Sequence, residues 1–300
     1  MISWIGVDWG TTNLRAFAID DNGLAMEEKS SPKGMSSLKP EEFEATLVEL
    51  IDDWLDNERC IPVFACGMVG ARQGWVEAQY RAVPCTPVSS SQLTNVKTTD
   101  RRIDVKILPG LCQSSPADVM RGEETQIAGF LAHNPKFDGS ICLPGTHSKW
   151  VRVKNGNVVS FRTFMTGEMF ALLSEQSVLR HSVSEVGTDV GEFLKAVSIA
   201  SEDPNSTTET MFSIRAGSLL ADVEPTSARA NLSGMLVGQE LGVAKKFWDG
   251  LPVIVVGAQD LSKLYVRALK QLSVKVTVES GNTAVLDGLM RVASEEIATA

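Results

Sequence analysis

Asp8-Trp9-Gly10-Thr11-Thr12-Asn13-Leu14-Arg15 follows the apolar run Ile2 to Val7 and leads into a second apolar run, Leu14 to Ile19. The pattern is strand, tight polar turn, strand. Such a turn directs backbone N–H groups outward, and Gly10, Thr11 and Thr12 are small and donor-rich enough to receive a phosphate. Arg15 can reach back to the turn with a fixed guanidinium. Asp8, at the strand end, is placed to hold Mg²⁺ or its waters, because magnesium keeps most of its hydration shell. The bland alternative is a hairpin with polar tips.

A second copy of the pattern argues against that alternative. Ile141-Cys142-Leu143 is strand-like, Pro144-Gly145-Thr146-His147-Ser148 is a turn, and Lys149 to Val153 is strand-like again. Asn155-Gly156 is then a hairpin turn, as Asp20-Asp21-Asn22-Gly23 is after the first pair. Two strand–turn–strand units, each heading half of the chain, predict a duplicated α/β fold of two lobes. The boundaries fall at residues 1–136 and 137–282, with a C-terminal helix over about 283–300 packing back on the first lobe. Leu143 stands where Asp8 stands in the first unit, which leaves one metal site and two phosphate-facing turns. Lys149 is open to two readings, a phosphate contact or a solvated strand residue, and His147 reads as a turn donor.

Between and after these units the chain alternates. Pro40 opens a helix through Trp54, Ile61 to Cys66 and Val105 to Leu108 are short buried strands, and Ser115-Pro116 reads as a cap opening a helix through about Ala132. Further helices are expected near 168–179, 189–200, 207–221 and 231–248, with surface loops at Pro204-Asn205-Ser206 and Glu224-Pro225-Thr226. A βαβ unit follows, with strand 253–256, helix 259–271 and strand 274–278. Gly234, Gly238 and Gly242, spaced by four, predict a close helix-to-helix contact.

Composition narrows the function. A net charge of −9 with no lysine or arginine cluster argues against a nucleic-acid partner. The N-terminus lacks a basic leader, and the most apolar run, Pro252 to Ala258, is too short for a bilayer. Five cysteines without a C-x-x-C pair read as reduced thiols in a cytoplasmic protein. Three widely separated histidines argue against a histidine-rich metal site.

Chemistry at a hydroxyl needs a carboxylate to orient it and take its proton. Asp118, Glu123 and Glu124 in Asp118-Val-Met-Arg121-Gly122-Glu123-Glu124-Thr125-Gln126 are the candidates, with Glu123 preferred, Asp118 alternatively a helix cap and Glu124 alternatively a residue of the solvated face. Gly67-Met68-Val69-Gly70-Ala71-Arg72-Gln73-Gly74-Trp75 follows a strand and brings backbone close to a ligand, with Arg72 offering a fork for a carboxylate. Thr166-Gly167-Glu168 is a binding turn or a plain helix start. Gly257-Ala258, between strand and helix, leaves room for a flat adenine or ribose.

These blocks come in the order of the actin-like ATPase superfamily of sugar kinases. More narrowly, Val7 to Arg15, Gly67 to Trp75, Asp118 to Gln126, Leu143 to Trp150 and Thr166 to Met169 make the chain resemble the 2-dehydro-3-deoxygalactonokinase family over essentially its whole length. The resemblance implies two ribonuclease-H-like lobes with a central ATP and substrate cleft. It also implies ATP- and Mg²⁺-dependent phosphorylation of the 6-hydroxyl of 2-dehydro-3-deoxygalactonate in galactonate catabolism, the alternatives being a kinase for another sugar acid such as 2-keto-3-deoxygluconate and a non-catalytic sugar-acid sensor on the same fold. Asp8, Arg15 and Glu123 become the expected catalytic groups. Gly10, Thr11, Thr12, Gly145, Thr146, His147, Ser148, Gly257 and Ala258 become the expected ATP contacts. Arg72, Gln73, Trp75, Arg121 and Glu168 become the expected sugar-acid contacts. Gly122-Glu123-Glu124 carries glutamate where glycerol- and xylulose-type kinases carry an aspartate base. The expected partner is a small sugar acid, with no membrane contact, and a homodimer is left open.

Overall fold

The structure is a computed structural model, and it describes residues 1–298. Residues 299 and 300 of the expected last helix lie outside the described residues. The chain divides into two units. The first comprises Met1–Phe137, Lys154–Ser160 and the segment from Gly281, and the second comprises Asp138–Val153 and Phe161–Ser280.

Strands β1 (Ile2–Trp9), β2 (Leu14–Asp20) and β3 (Ala25–Ser31) form an antiparallel meander. The Asp20 carboxylate closes the β2–β3 turn by accepting the Asn22 and Leu24 N–H groups at 2.9 and 2.8 Å, the expected job of an aspartate there. Helix α1 (Phe43–Ile51) precedes β4 (Ile61–Gly67), which runs parallel to β1. Next come β5 (Tyr80–Ala82), β6 (Thr94–Asn95), β7 (Ile103–Ile107), β8 (Gly110–Ser114), β9 (Ala117–Met120) and α2 (Glu123–His133). The main sheet has the order β3-β2-β1-β4-β7-β6, and β5-β8-β9 form a small separate sheet.

Strand periodicity sorts the first unit's core into two faces. Ile5, Val7 and Trp9 point with Val63 and Ala65 toward Phe43 and Leu47 of α1. Trp4, Phe17, Phe64 and Cys66 point the other way, toward Ala128 of α2 and toward Val285, Leu289 and Val292 of the last helix. Asp8 therefore lies on the second face, at the end of its strand, opposite Arg15 on β2 and Cys66 on β4.

The second unit carries β10 (Gly139–Leu143), β11 (Ser148–Lys154) up to Val153, β12 (Asn157–Phe164) from Phe161, α3 (Thr166–Glu175), α4 (Val190–Glu202), α5 (Thr207–Met211), α6 (Ser213–Leu220), α7 (Pro225–Val243), α8 (Lys245–Trp248), β13 (Val253–Gly257), α9 (Gln259–Gln271) and β14 (Val276–Ser280). Its sheet has the order β12-β11-β10-β13-β14, with β10 and β11 antiparallel and β13 and β14 running parallel to β10. Helix α10 (Gly281–Ile297) then packs on α2 within the first unit. The same sequence of an antiparallel hairpin followed by parallel strands heads both units, so each is ribonuclease-H-like. Gly234, Gly238 and Gly242 lie against the Phe193, Val197 and Ser201 backbone of α4, as their spacing predicts.

Three sequence expectations give way. The helix expected from Ser115 begins only at Glu123, because Ser114 and Ala117 close a hairpin between β8 and β9. A residue before proline is disfavoured in helical conformation, and Ser115-Pro116 makes the turn instead, so Asp118 sits on a strand and caps no helix. Pro225 does not lie in a loop but occupies the first turn of α7, where its missing N–H costs nothing. The helix expected over 207–221 is two helices, α5 and α6, that meet at Phe212. All five cysteines are free thiols. No helix among the described residues is long and apolar enough to cross a membrane.

Candidate active site

In the first unit the chemistry gathers where β1, β4 and α2 meet. Arg15 donates from Nη2 to Asp8 Oδ2 at 2.6 Å and from Nη1 to Asn282 Oδ1, at the start of α10. The Cys66 thiol lies 3.9 Å from Asp8 Oδ1, and burial together with the Asp8 and Glu124 charges pushes that thiol up. Gly67 adopts φ +89°, and a Cβ there would meet the Trp9 carbonyl at 2.6 Å. Gly122, at φ +108°, lies against Gly67. Glycine at both positions lets the β4 exit and the α2 entry approach each other beside Asp8.

The corner before α2 is held by the first two side chains of the helix. Glu123 Oε2 accepts the Arg121 backbone N–H at 3.0 Å, and Glu124 Oε2 accepts the Gly122 N–H at 2.7 Å. Carboxylates favour this end of a helix because its N–H groups lack partners. The two then differ. Glu124 is buried instead of lying on the solvated face, also accepts the Thr125 hydroxyl at 3.1 Å, and is pushed up to about 8 by burial and then by the charge of Glu123. Glu123 is half-buried.

The turn itself is tied down through its carbonyls. The N–H groups of Gly34, Met35 and Ser36 donate to the carbonyls of Thr12, Gly10 and Thr11. Among the described residues the Thr11 and Thr12 amides pair with no backbone carbonyl, and both residues are exposed. Thr12 borders a cavity of ≈ 600 Å³ that is also lined by Asp8, Gly10, Asn13, Arg15 and Ser30–Pro32. Asp8 is a single hard-oxygen ligand, and no group of three His, Cys, Asp or Glu among the described residues could cage a metal. Magnesium that arrives with a polyphosphate asks for no more than one or two protein carboxylates, so this donor set fits it.

The sugar-side candidates separate. Arg72 is exposed and makes a 3.5 Å ion pair with Glu77, and Gln73 beside it is also exposed. Trp75 stacks on Phe43 and meets Trp9 edge-on, so core packing accounts for it. Arg121 is buried, donates to the Ala78 carbonyl at 2.7 Å and lies over the Tyr80 ring, while its Nε and Nη1 have no partner among the described residues.

In the second unit, Gly145-Thr146-His147 forms the turn between β10 and β11. Thr146 C=O accepts the Glu168 N–H at 3.0 Å, and His147 Nε2 lies 2.7 Å from Glu168 Oε2. Glu168 thus braces the turn. Ser148 is buried, with its hydroxyl 2.8 Å from the Tyr265 hydroxyl, and Lys149 is buried as well, which removes the reading as a solvated strand residue. Gly257 passes close to the Pro144 carbonyl, and the Ala258 carbonyl accepts the Ser262 N–H at the start of α9. Next to the turn lies a cavity of ≈ 210 Å³ with walls of Gly145, Gly167, Phe170, Leu236, Leu261 and Tyr265, rimmed by Arg229 over the Phe170 ring.

Asn282, Gly67, Gly122 and the Gly34–Ser36 strap were not singled out one by one from the sequence. The signal for Asn282 was Gly281-Asn282-Thr283 at a strand–helix junction, which matches Gly257-Ala258-Gln259 one unit earlier.

Known proteins carry the same framework. The family model described as 2-keto-3-deoxy-galactonokinase matches residues 8–292. A Rhizobium meliloti (strain 1021) protein named a probable 2-dehydro-3-deoxygalactonokinase is 38% identical over 295 residues, covering 95% of both chains. The Escherichia coli (strain K12) protein named 2-dehydro-3-deoxygalactonokinase is 32% identical over 294 residues, covering 97% of both. A crystal structure of a candidate 2-dehydro-3-deoxygalactonokinase from Sinorhizobium meliloti superposes with a TM-score of 0.89 at 37% identity, over 97% of this chain and 95% of that one. Likeness of that extent in sequence and fold is inherited, and the chain belongs to the 2-keto-3-deoxy-galactonokinase family of carbohydrate kinases.

Proposed function

We propose that the protein transfers the γ-phosphoryl group of ATP to the 6-hydroxyl of 2-dehydro-3-deoxy-D-galactonate, releasing ADP and 2-dehydro-3-deoxy-6-phosphogalactonate, in the cytoplasm. The observation that carries this reading is the Asp8–Arg15 pair beside an open pair of turn amides in the first unit, with the corner that leads into Glu123 packed through Gly122 against Gly67. The family membership and the names of the relatives support the substrate.

The reaction is an in-line displacement. The substrate hydroxyl oxygen forms a bond to the γ-phosphorus, the bond to the β,γ-bridging oxygen breaks, and the hydroxyl proton passes to the Glu123 carboxylate. The Thr11 and Thr12 amides receive the phosphate, and the Arg15 guanidinium offsets charge that builds on its equatorial oxygens. Asp8 would hold Mg²⁺ through oxygen or water, and the ion would neutralise charge on the phosphate oxygens. In the second unit, Gly145, Thr146 and His147 receive phosphate, and Gly257 with Ala258 gives the adenosine a surface without bulk. Arg72, Gln73 and Arg121 are the groups for the substrate carboxylate. Arg121 is the strongest of these, because a buried guanidinium with unpaired N–H groups is costly until an acceptor arrives.

The test is ADP release with ATP, Mg²⁺ and a panel of 2-keto-3-deoxy sugar acids, glycerol and hexoses. Turnover confined to the galactonate-derived acid supports the proposal. Turnover on another acid keeps the kinase and overturns the substrate, and ADP release on none of them overturns both.

A further inference from the structure

Helix α7 buries a carboxylate in the core of the second unit. Glu240 is 2% exposed, and the groups around it are neutral donors. Its Oε1 accepts the Trp150 indole N–H of β11 at 2.8 Å. Its Oε2 accepts the Tyr265 hydroxyl of α9 at 2.7 Å and the hydroxyl of Thr166, the first residue of α3. Tyr265 has one hydrogen and gives it to Glu240, so its oxygen accepts the hydrogen of Ser148, 2.8 Å away. The result is a directed chain, Ser148 to Tyr265 to Glu240, with Trp150 and Thr166 converging on the same carboxylate.

Burial holds this carboxyl above the usual carboxylate range, with desolvation outweighing the four donors that pull it down. A core that needed only volume would carry leucine or methionine here at less cost. What the carboxylate touches accounts for its presence. Ser148 ends the Gly145–Ser148 turn. Thr166 precedes Gly167, which packs on the Gly145 carbonyl, and Glu168 donates its N–H to Thr146. Thr166 and Tyr265 also line the cavity that Gly145 opens onto.

We propose that Glu240 is a positioning residue for the nucleotide. Its carboxylate fixes the hydroxyl directions of Thr166, Tyr265 and Ser148. It thereby locks the Gly145–Ser148 turn against the starts of α3 and β11, holding the turn for a nucleoside triphosphate. This inference rests on the kinase reading of the second unit.

Glu240→Gln keeps the volume and the Trp150 bond but reverses the other two, because the amide must donate to the Thr166 and Tyr265 hydroxyls. Tyr265→Phe leaves the charge and cuts the link to Ser148. The measurement is calorimetric binding of the non-hydrolysable analogue AMPPNP with Mg²⁺, alongside the melting temperature and KM for each substrate. For both variants, analogue affinity and KM for ATP should worsen roughly tenfold or more, KM for the sugar acid should stay within about twofold, and the fold should persist. The double variant should add little to either single one, because both act through one chain of bonds. If Glu240→Gln does not fold, Tyr265→Phe decides by itself. Unchanged analogue affinity, or parallel loss for both substrates that tracks the melting temperature, overturns the positioning role while leaving the kinase reading intact. Failure of the wild-type chain to bind AMPPNP overturns both.

Discussion

Asp8 and Arg15 meet because strands β1 and β2 set them directly opposite each other, and a two-residue period puts both on the face shared with α2 and α10. Glu123 and Glu124 are sequence neighbours with opposite surroundings, and their variants should separate. Glu123→Gln should lower turnover by about 10²–10⁴-fold with AMPPNP affinity kept, as expected for loss of a general base. Glu124→Gln, a neutral copy of a carboxyl pushed up to about 8, should stay within a few-fold of wild-type turnover. Steady-state kinetics of the two proteins check this, and the reverse ranking would move the base to Glu124. At this scale the sequence was readable where the site is contiguous. Asp8, the Gly10–Thr12 turn and Arg15 stand within one stretch, and their chemistry follows from their order. Asn282 reaches Arg15 from 267 residues away, and the burial that separates Glu124 from Glu123 comes from packing that no local pattern records.

The elements follow the same division. Hairpins with Asn-Gly or Asp-Asn-Gly turns, the βαβ unit and the glycine-spaced contact of α7 with α4 were legible, because turn chemistry and periodicity are local. The start of α2 was not. A serine–proline pair can open a helix or turn a hairpin, and the pairing of β8 with β9 decides for the hairpin. The α2–α10 contact was equally hidden, since neither Gly129 nor Gly288 looks unusual in sequence. Yet a Cβ on Gly129 would run into the Ala284 carbonyl, and one on Gly288 into that of Thr125. Gly129→Ala and Gly288→Ala should each destabilise the protein by about 1–3 kcal/mol through overpacking. Urea unfolding measures it. Stability equal to wild type in both variants would mean that these helices do not pack backbone to backbone.

For the molecule as a whole, buried carboxyls tie stability to pH. Glu124 and Glu240 are both raised in the folded state, chiefly by burial. A raised carboxyl contributes stability that is present below its unfolded value and lost as pH rises through its folded value. For Glu124 that window runs from 4.5 to about 8, and at about 1.4 kcal/mol per pH unit it amounts to several kcal/mol. Wild-type unfolding free energy should therefore fall across this range relative to Glu124→Gln, which has no such proton to lose. Denaturant curves at pH 5, 6.5 and 8 test it, and parallel profiles for the two proteins would contradict it. The most direct test of the central claim is the position of the new phosphate. Product made from ATP and 2-dehydro-3-deoxy-D-galactonate should show phosphorus-to-carbon coupling at C6 by NMR, with one ADP per phosphate ester. An ester at another carbon, or inorganic phosphate with the sugar acid unchanged, would contradict the account.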